Sequence, residues 1–366
     1  MKRRRFLARG TAGATAGAAA LAAPNIAGAQ GQPRVRWRCP GSFPKSLDTL
    51  YGTQEHLAKR VGEMTDGAFQ IQVFGPGEVV PALQVLDAVG GGTVECGFTS
   101  AYYYLGKDPS LAIATCLPFG LSTKQHWAWL THGGARQLYA EVYRDQGVVA
   151  IPAGNTGSQM GGWFRKEIKS VEDLKGLKFR IAGYGGNALQ KLGVIPQQLG
   201  GPDIYPALER GVIDAAEWVG PYDDEKLGFA KVAPFYYYPG FWEGGPSIHL
   251  FINQAKWKEL PKAYQAILTT AAGYANSDML AKYDARNPAA LRRLLGAGTQ
   301  LRPFSPEILE AAYKAANEVY DDVSSKNADF KKIYDSVRGF RNEEYLWFQV
   351  AEYAFDNFMI RARARG

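Results

Sequence analysis

Twice along the chain an alternating strand gives way to an amphipathic helix and then to a second strand, and this rhythm restricts the fold more than any other feature. Val35, Trp37 and Cys39 alternate with Arg34, Arg36 and Arg38, the period-2 pattern of a half-buried strand. A helix is expected next, with Ser46 as its cap, Leu47, Leu50, Tyr51, Leu57, Val61 and Met64 on one stripe, and Gly67 closing it. Phe69 to Val73 alternates again, Pro81 to Val89 reads as a helix and Val94 to Phe98 as a strand. Such a βαβαβ order predicts a parallel sheet covered by helices, hence an α/β lobe.

The rhythm restarts with strands at Gly147 to Ile151 and Leu177 to Ala182, helices at Asn187 to Leu192 and Pro202 to Arg210, and a strand at Val212 to Trp218. A weak internal repeat accompanies it. Leu86 to Gly90 followed by Val94-Glu95-Cys96-Gly97 resembles Leu208 to Gly211 followed by Ile213-Asp214-Ala215-Ala216. Each copy runs on into an aromatic cluster, Tyr102-Tyr103-Tyr104 in one and Trp218 to Tyr222 in the other. Ligands of open α/β sheets bind just beyond the carboxyl ends of strands, where both clusters fall. Two lobes with a cleft between them are therefore expected.

From about Gln254 onward the pattern is helical, with Pro261, Ser305-Pro306 and Asn342 near helix starts. In the last helix, Glu343 to about Arg361, Leu346, Val350 and Tyr353 mark one apolar face and Tyr345, Phe348, Phe355, Phe358 and Met359 another. Such a helix needs more than one apolar partner. It crosses both lobes, docks onto a second subunit or is simply buried.

The chain carries 42 Lys and Arg against 35 Asp and Glu in 366 residues, a net charge of +7 that invites a nucleic-acid reading. Position removes the invitation. Residues 1–29 combine a basic start, Lys2 to Arg5, with an Ala/Gly-rich apolar run and a small-x-small end at Ala27-Gly28-Ala29, the layout of a secretory signal. Arg3-Arg4-x-Phe6-Leu7 and the weakly hydrophobic core point to the twin-arginine route. Five bases and no acid leave with that leader, so the remainder holds 37 bases against 35 acids and no basic block for nucleic acid. Cys39, Cys96 and Cys116 are too scattered for a disulfide scaffold or a metal-binding CxxC, and are read as buried thiols although an oxidising compartment permits one bridge.

Four histidines, His56, His126, His132 and His249, lack zinc-site spacing, and neither a GxSxG elbow nor a GxxxxGK[ST] loop occurs. One motif supports an enzyme. Gly183-x-Gly185-x-x-Ala188 follows a strand and opens a helix, as in a dinucleotide-binding turn, with Asp203 at a tolerable distance; the alternative function is thus an exported nicotinamide-dependent oxidoreductase. Against it stand Arg180, near the end of the strand Leu177 to Ala182 and suited to clamp a carboxylate, and Glu217-Trp218, which end the strand of the second repeat. A buried Glu beside an anion-binding Arg either neutralises that Arg or, with an anionic ligand present, requires a cation between them.

Asn155-Thr156-Gly157-Ser158-Gln159-Met160-Gly161-Gly162-Trp163, Val171 to Arg180 with its DLKGLKxR segment, and Ala207 to Trp218 together resemble the solute-binding receptors of TRAP (tripartite ATP-independent periplasmic) transporters. The resemblance extends over the whole chain after the leader, through Trp257-Lys258-Glu259-Leu260-Pro261 to the terminal helix. Sialic-acid receptors of that group carry an Arg in a G-T-R-Q pattern where this chain has Gly157-Ser158-Gln159; together with Glu217-Trp218 and the tyrosine run, this departure is similar to the 2-oxo acid and lactate branch. The resemblance implies a two-lobed periplasmic-binding-protein fold with mixed sheets, a ligand cleft and a long C-terminal helix. Lobe I would comprise 31–153 plus about 247–285, lobe II 154–246 plus about 286–340, and 341–366 a dimerisation helix.

It further implies a periplasmic receptor, not an enzyme, that binds a small monocarboxylate such as pyruvate and delivers it to a TRAP permease. Arg180 would pair with the ligand carboxylate. A Na⁺ or Ca²⁺ ion, with no organic cofactor, would be held by the Gln159 side chain, the Glu217 carboxylate and the Trp218 carbonyl, oxygen donors that suit a hard cation. Asn155, Tyr102 and Tyr103 are further ligand-contact candidates, with Phe241 or Trp242 as an apolar wall.

Overall fold

Two β-sheet systems, the first a two-stranded and a three-stranded sheet linked by one bridge and the second a six-stranded sheet, carry the fold of this computed structural model, which describes residues 33–364; the leader assigned to 1–29 lies outside them. The first repeat supplies β1 (Val35–Pro40), α1 (Leu50–Met64), β2 (Phe69–Phe74), α2 (Val85–Gly90) and β3 (Cys96–Thr99), followed by a 3-10 turn, Ala101–Tyr104. Then come α3 (Leu111–Thr115), α4 (Thr123–His132), α5 (Ala135–Asp145) and β4 (Val148–Asn155). The second repeat contains β5 (Gly162–Phe164), β6 (Lys178–Arg180), α6 (Gly183–Gln190), β7 (Ile195–Gln197), α7 (Gly201–Glu209), β8 (Ala215–Ala216), α8 (Pro221–Leu227) and β9 (Phe235–Tyr238). The chain then returns through β10 (Ser247–Asn253), α9 (Gln254–Glu259), α10 (Lys262–Gly296), β11 (Gln300–Pro303), α11 (Pro306–Lys326), α12 (Ala328–Phe348) and α13 (Ala354–Arg363).

The first sheet is not the all-parallel one that the rhythm predicts. β1 and β2 pair in parallel, but β10 comes back from the second half of the chain and inserts antiparallel between β3 and β4. A lone parallel bridge, Gly41 to Phe98, connects the β1/β2 pair to β3. β10 is buried along nearly its whole length, as a strand covered on both faces must be. The second sheet has the order β11-β9-β5-β8-β6-β7 and is also mixed, with β6 parallel to β7 and β8 while β5 runs antiparallel to β8 and β9.

Helix boundaries differ from the sequence pattern where local chemistry decides them. α1 starts at Leu50 with Thr49, not Ser46, as the preceding residue. The region expected to be wholly helical contains β11, which pairs with β9. Asn342 starts nothing: the terminal helix begins at Ala328, where the Asn327 side chain accepts a hydrogen bond from Phe330 N at 2.7 Å. It continues through a π-type segment, Gln349–Tyr353, into α13. Arg341 Nη1 donates to the Phe119 carbonyl at 3.0 Å, and Lys124 pairs with Glu352, which fixes its inner side. The outer side stays bare: Leu346 is 66% exposed, Val350 69% and Phe355 65%. Cys39, Cys96 and Cys116 are all buried free thiols. Among the described residues no helix is long and apolar enough to cross a membrane.

β5 and β8 approach so closely at Gly162 that only glycine fits. Its φ is +86°, and a Cβ there would sit 2.6 Å from the Ala216 carbonyl oxygen and 2.9 Å from Glu217 Cα. Left-handed strain and the backbone clash add, so Gly162→Ala is expected to cost roughly 2–4 kcal/mol. Urea unfolding of the purified protein measures it; an unchanged midpoint would contradict the tight approach.

Candidate functional site

β6 and β8 lie side by side, with Arg180 opposite Ala216, and both strands end facing the same space. Arg180 therefore projects toward the residue after β8, which is Glu217. Its Nη1 donates to the Glu217 carbonyl at 2.8 Å and to Glu217 Oε1, while Nε donates to the Leu199 carbonyl at 3.1 Å. The Trp218 ring covers one side of the guanidinium, 5.2 Å from its central carbon. Arg180 and Glu217 are both essentially sealed from solvent. Lys178, at the other end of the short strand, is exposed.

This burial governs the charge states. Burial pushes the Glu217 carboxyl up to about 7, against the pull of Arg180 and of a hydrogen bond from the Ala182 backbone. Burial also opposes the Arg180 charge, but Glu217 and the neighbouring tyrosines hold that guanidinium above its ordinary value. Glu243, a residue the sequence reading did not single out, lies in the same cluster. Its carboxyl is driven well above the usual carboxylate range by burial first and then by Glu217.

The other groups come from the opposite sheet and from the connections between the sheets. Tyr102 and Tyr103 stand on the 3-10 turn just after β3, their rings 4.9 Å apart. Tyr102 faces Glu243 and Tyr103 faces Arg180, whereas Tyr104 turns away, its hydroxyl accepting from Leu86 N at 3.1 Å. Gln159 is positioned through its backbone: its N–H donates to the Glu243 carbonyl at 3.1 Å and its carbonyl accepts from Gly240 N at 3.0 Å. Its Nε2 donates to Thr156 Oγ1 at 3.1 Å, which turns Oε1 free.

A cavity lies where these groups meet. Its walls include Tyr102, Tyr103, Thr156, Gln159, Arg180 and Trp218, with Phe43, Leu50, Val219 and Ile248 as apolar lining. Only about 10 Å³ is open to the centre of a water-sized sphere, room for about one water. Arg180 Nη2, Gln159 Oε1, Glu217 Oε2 and both Glu243 carboxylate oxygens are buried without a hydrogen-bond partner. Buried polar atoms are almost always satisfied, so this concentration marks a place built for something else to bind. One unpaired guanidinium nitrogen suits an anion; amide and carboxylate oxygens suit a hard cation such as Na⁺ or Ca²⁺. Among the described residues no group of three His, Cys, Asp or Glu side chains forms a metal cage, so a cation here would draw on amide, carbonyl or ligand oxygens as well.

Three of the candidates, Asn155, Trp242 and Phe241, lie away from this cavity. Asn155 ends β4, and its Oδ1 accepts from Gly157 N at 2.7 Å, shaping the turn that carries Thr156 and Gln159. Trp242 packs among Phe179, Phe241 and Phe304 in the second hydrophobic core, not on the cavity wall, and Phe241 stacks on Phe119. The Gly183-x-Gly185-x-x-Ala188 turn is taken up in α6, and the close approach its glycines permit is made to protein. A Cβ at Gly183 would meet the Tyr102 ring at 2.8 Å, and one at Gly185 would meet Ile181 and Trp242 at 2.9 Å. Glu243 escaped notice because the surrounding Phe241-Trp242-Glu243-Gly244-Gly245-Pro246 reads as an ordinary loop; its one signal is an acid directly after two aromatic residues.

A profile of the family described as bacterial extracellular solute-binding protein, family 7, matches residues 41–327. A monocarboxylate 2-oxoacid-binding periplasmic protein of Nostoc sp. is 53% identical over 360 residues, covering 98% of this chain and 99% of that one. Among solved structures, a TRAP transporter solute-binding protein from Bordetella bronchiseptica, a mixed-occupancy dimer with copurified calcium and picolinate, matches with a TM-score of 0.90 at 52% identity, covering 91% of this chain and 99% of that one. A TRAP periplasmic solute-binding protein from Pseudoalteromonas atlantica with bound sodium and pyruvate gives a TM-score of 0.86 at 36% identity, covering 88% and 99%. The fold is the two-lobed one of these receptors, and the chain belongs to family 7 of the bacterial extracellular solute-binding proteins.

Proposed function

We propose that this protein is a periplasmic receptor that closes on a small monocarboxylate, a 2-oxo acid such as pyruvate, together with Na⁺ or Ca²⁺, and delivers it to a TRAP permease. The observation that carries the reading is that Arg180 and Gln159, which line one small cavity, and Glu217, paired with Arg180 behind its wall, each keep a buried polar atom without a partner. Relatives at 52% and 36% identity were found with calcium and picolinate and with sodium and pyruvate bound, which supports it. Arg180 Nη2 takes the ligand carboxylate. Gln159 Oε1, Glu217 Oε2 and the Trp218 carbonyl hold the cation, which screens the ligand's negative charge from Glu217. Tyr102 and Tyr103 close the cavity from the other lobe. No bond is made or broken, and hinge closure follows ligand binding by population shift.

The same reading assigns 31–153 plus about 247–285 to lobe I and 154–246 plus about 286–340 to lobe II. Residues 1–29 form a leader read by the twin-arginine route, which exports folded proteins. The exposed stripe of the terminal helix is the face of a homodimer. A groove of about 570 Å³ walled by Trp127, Leu130, Tyr139, Tyr143 and Trp257 offers a surface of the same apolar character.

Three measurements test these assignments. Arg180→Ala is expected to weaken pyruvate binding by about 3 kcal/mol or more, some hundredfold in Kd, in calorimetric titration. Because it also strips Glu217 of its partner, the paired variant Arg180→Met with Glu217→Gln is the control: it regains stability and stays unable to bind. Exchanging the protein into a chelating buffer free of Na⁺ is expected to weaken pyruvate binding about tenfold or more, about 1.4 kcal/mol; an unchanged Kd would remove the cation from the reading. Leu346→Glu with Val350→Glu is expected to give a monomer by light scattering with the ligand affinity retained, and a persistent dimer would place the interface elsewhere.

A further inference from the structure

The groups that handle charge and the groups that meet the rest of the ligand come from different parts of the cavity, and the apolar part is tied to the contact that shuts it. A 2-oxo acid held by its carboxylate at Arg180 directs its alkyl group at the lining residues without hydrogen-bonding side chains, chiefly Phe43, Leu50, Val219 and Ile248. Phe43 is locked edge-on against Phe98, Ile248 sits in the central strand β10, and Val219 N donates to the Asp224 carboxylate at 3.3 Å. Leu50 differs, because it is the first residue of α1 and adjoins a pair of contacts with the other sheet's elements.

Thr49 precedes α1 but does not cap it with its side chain. Its hydroxyl instead donates at 2.5 Å to Asp223 in α8, the helix that leaves β8 just after Trp218. Asp48 pairs with Lys226 of the same helix and accepts from the Tyr222 hydroxyl at 3.2 Å. α8 is itself fixed to the charge-binding wall, since Asp224 accepts from Trp163 Nε1 at 3.0 Å and from the Tyr236 hydroxyl at 2.7 Å. Leu50 thus touches the ligand space while its two preceding residues grip α8.

Resting on the function proposed above, we infer that Asp48-Thr49-Leu50 is the specificity gate of the receptor: Leu50 sets how long a side chain the ligand can carry, and Thr49 and Asp48 latch the cleft only when that side chain fits. A bulkier side chain displaces Leu50, moves the start of α1 and keeps Thr49 from Asp223. The latch therefore strengthens binding of short 2-oxo acids and contributes nothing to long ones.

The test titrates the mature protein, in buffer containing Na⁺ and Ca²⁺, with pyruvate and with 4-methyl-2-oxopentanoate. Wild type is expected to prefer pyruvate by about tenfold or more, and Leu50→Ala, or Leu50→Val if the alanine variant does not fold, to narrow that ratio about tenfold and about threefold respectively. Thr49→Val is expected to weaken pyruvate binding about tenfold while leaving the longer acid unchanged. Equal weakening of both acids in Leu50→Ala, or in Thr49→Val, would overturn the gate and leave those residues as structural support. Failure of wild type to bind either acid would instead overturn the functional reading, and the gate with it.

Discussion

The contact on which the site depends is the ion pair between Arg180 and Glu217, sealed inside the second sheet at the ends of two neighbouring strands. Removing two charges from water costs several kcal/mol per ion, which a single pair rarely recovers in full. The surroundings show how the remainder is met: Leu199 supplies a carbonyl, Trp218 a ring face and Ala182 a backbone hydrogen bond. Even so burial pushes the Glu217 carboxyl up to about 7, and one guanidinium nitrogen is left bare. A pair placed only for stability would be fully satisfied. On the proposed reading, an anion and a cation entering together complete both halves.

The strand spacing follows from the same need. β5, β6 and β8 are two or three residues long, so they fix direction at one point rather than along a surface, and Gly162 lets β5 come within contact of the Glu217 backbone. Gln159 is held by two backbone hydrogen bonds to the loop that bears Glu243. Loops therefore carry the groups proposed to bind, but each is tied to a strand end, which keeps donor positions fixed.

Much of this was legible in the sequence because it is local. Period-2 alternation located β1 and β2, and an arginine at the end of a short strand followed by Glu-Trp at the end of the next marked Arg180, Glu217 and Trp218 as belonging together. What was not legible depends on long-range pairing or on competition for a side chain. Nothing near Ser247 to Asn253 says that the strand will insert between β3 and β4, roughly a hundred residues or more earlier in the chain. Asn155 has the chemistry of a ligand donor, but its nearest backbone N–H claims its oxygen first. Trp242 sits beside a cluster residue, yet so large a ring finds more contact in the core than on a cavity wall. Asn342 and Asn327 are equivalent as caps by composition, and tertiary packing decides between them.

The unpartnered atoms around the cavity have one more consequence. Each buried polar atom without a partner costs about 1–3 kcal/mol, and several of them meet here. Closing the lobes over an empty cavity therefore produces a frustrated core, an interior with gaps in its own hydrogen-bond inventory. On the proposed reading, pyruvate and its cation are the missing members of that inventory, and the molecule reaches its fully consistent native state only when loaded. Shape then reports occupancy: a membrane partner that grips only the closed outline needs no direct view of the solute to tell a charged carrier from a spent one.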